Sequence, residues 1–145
     1  MGNSTASAAA EAAMADIFAD MLMAGGLTFA SFERGALAEG HAIMARAMGR
    51  ALERLDAALC AELPPGLRVH DVRERSLATV VGDVSFRWRR LRARDGGSCV
   101  PLADELDLPW GARVSPAAEE FLVEAGAEVS YAAAARLLAR AGGSR

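Results

Sequence analysis

An α+β fold is what this sequence predicts, with N-terminal helices, a central antiparallel β-hairpin or three-stranded sheet, and a C-terminal helical pair. Three observations predict it. Apolar residues recur at helical spacing through residues 12–61. Two runs rich in Val, Thr, Phe and Trp flank Gly82-Asp83, a Gly-first turn signal. Two serines, Ser115 and Ser130, stand where helix N-caps belong. The 145 residues hold 33 Ala but also 40 large apolar side chains, enough for one small core.

Four segments follow. Residues 1–30 form a small, polar tail, expected to be disordered over 1–10, and a short helix over Ala12–Met23. That helix carries Met14, Ile17, Phe18, Met21 and Leu22 on one side and ends at Gly25-Gly26. Residues 31–63 form a long amphipathic helix, from about Ser31 to Ala61, with Leu37, Met44, Met48, Leu52, Leu55 and Leu59 as its apolar stripe. Gly35, Gly40 and Gly49 each weaken it by up to about 1 kcal/mol relative to Ala and leave room for a closely packed partner. Leu63-Pro64-Pro65-Gly66 stops it.

Residues 68–102 read as a hairpin or small sheet. With Gly82-Asp83 as the turn, Val81 faces Val84. One face then gathers Leu77, Thr79 and Val81 with Val84, Phe86 and Trp88, and the other Ser76, Ala78 and Val80 with Ser85, Arg87 and Arg89. The apolar face should be buried against the long helix and Arg87 and Arg89 exposed. Asp95-Gly96-Gly97 is a second turn, after which Ser98–Leu102 returns as a short third strand.

Residues 103–145 hold an acidic loop (Asp104, Glu105, Asp107) and two helices, a partial helix-turn-helix. The first starts at Ser115-Pro116 and runs to Ala127, with Glu119 and Glu120 suiting the positive end of its dipole. The second starts after Ser130, carries Leu137 and Leu138, and ends at Gly142-Gly143.

The net charge of −3 conceals segregation. Residues 1–67 carry −4, 68–94 carry +5, 95–128 carry −7, and the last seventeen carry +3. A concentrated basic strip in an acidic chain provides a phosphate footprint, and its bland alternative is a solvated strand face or internal pairing with the acidic 104–128 segment. No apolar run approaches the roughly 20 residues of a membrane span. Cys60 and Cys99 form neither a disulfide framework nor a zinc site, and no secretory signal opens the chain, so a cytoplasmic protein is expected. His41 and His70 are isolated, and the acidic trio lacks the ligand spacing of a calcium loop. No catalytic constellation, cofactor site or metal site is expected.

The order of segments resembles the N-terminal region of ISLre-type insertion-sequence transposases. The resemblance covers residues 32–140. It runs through Thr79, Gly82-Asp83-Val84, the aromatic-basic run Phe86–Arg90, and Pro101–Leu108, where Ala103 is inserted after Leu102. Ser115-Pro116 and Ser130-Tyr131 hold the family's helix starts, and the helix Phe32–Leu59 sits where the family places one. The resemblance implies recognition of DNA at transposon ends and strand transfer by carboxylates that bind two divalent cations. Those carboxylates lie in a later catalytic domain, so Asp104, Glu105 and Asp107 do not take that role. The chain is therefore expected to be a truncated, non-catalytic DNA-binding or assembly piece. Arg87, Arg89, Arg90, Arg92 and Arg94 are its candidate phosphate contacts, of weak sequence specificity. The alternatives are a helical interaction module, homo-oligomeric through residues 31–63, and a decayed remnant without activity.

Overall fold

The computed structural model describes residues 2–128 and 130–142, in two compact units, Met1–His41 and Ala42–Arg145. In the first, helix α1 (Gly2–Met23) pairs with the beginning of α2 (Phe29–Leu59) as an antiparallel helical hairpin. Residues 2–10, expected to be disordered, are the first turns of α1. Ala6 and Ala8–Ala10 are strong helix formers, which is the physical reason. Met14, Phe18 and Met21 are the half-buried positions of α1, whereas Ile17 and Leu22 are exposed. Phe18 meets Phe32 edge-on at 6.3 Å, and the Met21 methyl lies over Gly35. Helix α2 starts two residues earlier than its sequence suggests because Thr28 and Ser31 cap each other. The Ser31 N–H donates to Thr28 Oγ1 and the Thr28 N–H donates to Ser31 Oγ.

The second unit is built on a three-stranded antiparallel sheet, β1 (Leu67–Thr79), β2 (Gly82–Ala93) and β3 (Ser98–Cys99), in the order β1-β2-β3. Together with the helices at both ends, this confirms the α+β class. The hairpin turn, however, is centred on Val80-Val81, and Thr79 pairs with Gly82. Neither valine has a positive φ, while Gly82 sits at φ 110°. The glycine therefore serves just after the turn, where left-handed backbone is required, rather than inside it. Thr79 locks the closure, donating from Oγ1 to the Gly82 carbonyl and accepting from the Val81 N–H. Leu77 consequently faces Val84 instead of Trp88. The pairing moves by an even number of residues, so each side chain keeps its predicted face.

That apolar face is the core. Leu77, Val84, Phe86 and Trp88 cluster with Val100, Leu102, Ala103 and Ala45, and Leu52, Leu55 and Leu59 of α2 pack against them. Phe86 and Trp88 meet edge-on at 5.8 Å. The third strand stops at Cys99, because Pro101 has no N–H for a ladder and opens helix α3 (Pro101–Glu105). Leu102 and Ala103, expected in the strand and in a loop, are buried there.

Helix α4 (Pro116–Glu128) is capped by Ser115, whose Oγ accepts from the Ala118 N–H. Helix α5 (Tyr131–Ala141) is capped by Ser130. The two pack together, and Gly142 at the end of α5 abuts Gly82. Gly143, part of the expected helix stop, lies outside the described residues. Val114, just before α4, bridges to Ala78 on the outer edge of β1.

The stripe that α2 buries also differs from expectation. Leu37, Met44 and Met48 are exposed, and the buried positions in the second unit are Ala45, Gly49 and Asp56. Their side must approach the edge of β2 closely, and only small or hydrogen-bonding residues permit that. A Cβ on Gly49 would overlap the Ser85 carbonyl oxygen. Gly49→Ala is therefore expected to destabilise the fold by about 1–3 kcal/mol through overpacking, despite its better helix propensity. A urea melt reads this directly, and an unchanged or raised midpoint would contradict the close approach.

Candidate nucleic-acid interface

The basic segment 68–94 holds eight arginines, and the fold uses four of them. Asp56 is 3% exposed in its side chain and accepts from Arg89 twice, from the guanidinium at 2.6 Å and from the backbone N–H at 3.0 Å. Arg90 grips Asp71 with two hydrogen bonds, at 3.1 and 2.7 Å, and Arg73 reaches the same carboxylate. Arg75 lies over the Trp88 ring and donates to the Ala112 carbonyl. Arg89 is thus half-buried rather than exposed. The partners of the ion-paired arginines are Asp56 and Asp71, not the acidic 104–128 segment.

The other four, Arg68, Arg87, Arg92 and Arg94, have no ion pair among the described residues. Arg87 projects from the exposed face, and its backbone N–H is held by Glu53 at 2.9 Å. Arg68, Arg92 and Arg94 line a pocket of about 490 Å³ at the open end of the hairpin, between the turns that contain Gly66 and Gly96. The five arginines singled out from the sequence therefore do not form one surface. Residues 87 and 89 alternate with 90, 92 and 94 across the strand, and two of the five are committed to carboxylates.

The family model described as uncharacterised protein family UPF0236 matches residues 22–145. The chain belongs to UPF0236. No curated protein and no solved structure matches it.

A further basic feature of this UPF0236 chain escaped the sequence reading. Arg46, Arg50 and Arg54 follow one another at four-residue intervals on α2 and line a shallow groove of about 330 Å³ with Ile43, Ala47 and Ala51. The four-residue spacing was the available signal. It was masked because the segment's net charge is negative.

The acidic residues Asp104, Glu105 and Asp107 are exposed, at the end of α3 and just beyond it. Among the described residues, no group of three or more His, Cys, Asp or Glu is placed to hold a metal ion. No described helix is long and apolar enough to cross a membrane. Burial, followed by the Asp56 charge, pushes the Cys60 thiol up, against a smaller pull from Arg89. Cys60 therefore stays protonated and is a poor nucleophile.

For Asp71, burial favours the neutral acid, but hydrogen bonds from Arg90 and Arg73, aided by their charges, outweigh it and lower the pKa below its ordinary 3.8. A lowered folded-state value means that the stabilisation is present above 3.8 and lost as pH falls through the folded value. Asp71→Asn should accordingly be less stable at neutral pH and lose less stability than the wild type below pH 3.8. Parallel acid-melting curves for the two proteins would contradict the assignment.

Proposed function

We propose that this chain is a non-catalytic DNA-contacting and assembly module of an ISLre-type insertion-sequence transposase. The observation that carries the reading is the division of the hairpin arginines. The fold satisfies four, and Arg68, Arg87, Arg92 and Arg94 remain without an ion pair among the described residues, ready for phosphates. The order of segments, which resembles that transposase family, supports it, as does the charge of +5 over residues 68–94. In this reading the chain corresponds to the region ahead of the catalytic domain, and strand transfer belongs to residues outside it. A cytoplasmic location goes with the reading, since the DNA lies there.

Contacts to phosphate position a protein without reading bases, so weak sequence preference is expected. Arg89→Ala is a poor probe, because it strips the buried Asp56 of its cationic partner and perturbs the fold. Arg87→Ala/Arg94→Ala removes two arginines without ion pairs. In fluorescence-anisotropy titrations with duplex DNA, four neutralised phosphates give a slope of log affinity against log salt near −3.6, and the double variant should flatten it by about 1.8. A wild-type slope near zero would overturn the reading.

A second reading, self-association through α2, is favoured by the apolar side chains that the helix leaves in solvent. Phe29 is 77% and Leu37 54% exposed, and Met44 and Met48 are exposed as well. It expects a mass that rises with concentration in light scattering. A monomer at every concentration removes it.

A further inference from the structure

The open end of the hairpin places two like charges in direct opposition. Arg68 and Arg92 are cross-strand partners, an arrangement that is unfavourable unless something negative lies between or beside them. Arg94 lines the same pocket, so three arginines border it. The nearby carboxylates are already engaged. Asp95 accepts from the Gly97 N–H at 2.8 Å, and Asp71 is held by Arg73 and Arg90. Arg92 Nε, like Arg75 Nε and His41 Nδ1, is buried without a hydrogen-bond partner, which leaves this arginine incompletely satisfied by the fold.

The backbone makes room for an occupant. The Leu67 N–H donates to the Pro64 carbonyl across a tight turn whose Gly66 sits at φ 89°. On the other side, the Gly96 N–H donates to Ala93 and the Ala93 N–H to Gly97. Neither turn places a side chain at its glycine, so the mouth of the pocket stays open. Guanidinium groups present paired N–H donors whose geometry matches the oxygens of a phosphate, and several of them around one concavity exceed what a single chloride would use.

We propose that Arg68, Arg92 and Arg94 form a phosphate-binding pocket. The proposal deepens the DNA-contact reading and rests on it for the source of the phosphate, either a backbone phosphodiester or the terminal phosphate of a DNA end. Occupancy itself is separable from DNA binding. An anion between Arg68 and Arg92 relieves their repulsion and ties the first residues of β1 to the last of β2, so it stabilises the fold in proportion to its binding.

The test uses the full chain and inorganic phosphate first. Thermal unfolding is followed against phosphate concentration, with sodium chloride at matched ionic strength as the control. The expected result is a saturable rise in Tm specific to phosphate, lost in Arg92→Gln and weakened in Arg68→Gln. Arg68 is exposed, so its variant tests the pocket even if the Arg92 variant folds poorly. No saturable rise in the wild type overturns the proposal, as does an equal rise in a folded Arg68→Gln, which would place the anion elsewhere. Duplex DNA with and without 5′-phosphates then identifies the source. A preference for the phosphorylated duplex that disappears in Arg68→Gln assigns a terminal phosphate, and equal binding weakened by Arg68→Gln assigns the backbone. Saturable phosphate binding without DNA binding keeps the pocket and sinks the DNA reading.

Discussion

Strand β2 has two edges, and β1 satisfies only one of them. On the other, β3 reaches just Leu91 and Arg92, which leaves the N–H groups of Arg87 and Arg89 pointing outward with no strand to receive them. Helix α2 closes this gap with side chains. Glu53 accepts from the Arg87 N–H and Asp56 from the Arg89 N–H, and one turn earlier Gly49 lets the helix come down onto the Ser85 carbonyl. Positions 49, 53 and 56 lie on one side of a helix, and 85, 87 and 89 share one edge of a strand, so the two periodicities meet over three contacts. Hydrogen bonds to charged acceptors contribute about 1.5–3 kcal/mol each. An unpaired edge is also a site for aggregation, and covering it with a helix removes that hazard.

The same docking decides which arginines are paired within the fold. Because Asp56 sits at the β2 edge, Arg89 folds back onto it, and because a carboxylate stands opposite Arg90 at Asp71, that arginine is held as well. Arg75 is held over the Trp88 ring and by the Ala112 carbonyl. What is left is Arg87 on the exposed face and the group at the open end of the hairpin. The basic strip thus has a half committed to the fold and a half without ion pairs among the described residues, and charge counting alone cannot separate them.

Much of the architecture was legible locally. Ser115-Pro116 and Ser130 mark helix starts because a cap is decided by a few neighbouring residues, and both serines accept the hydrogen bonds their positions require. The two faces of the hairpin were legible because side chains alternate, and that alternation survives an even displacement of register. The turn itself was not. A glycine serves either within a primed turn or just after an ordinary one, and the choice falls to Thr79, whose hydroxyl closes the loop over Gly82. The stripe on α2 was misread for a related reason. The helix packs against a strand edge as well as an apolar surface, and at an edge Gly and Asp outrank Met and Leu.

By itself the sequence determined the class of fold, the type of nearly every element, the inward face of the hairpin and the concentration of arginine within it. These rest on periodicity, caps and composition, which are short-range properties. Tertiary structure alone decided the strand register, the buried side of α2 and the division of the arginines. Each of these depends on a partner distant in the chain: Asp56 on Arg89, Ala112 on Arg75, Gly49 on Ser85. A side chain becomes structural or available only when the fold brings, or fails to bring, an opposite charge to it.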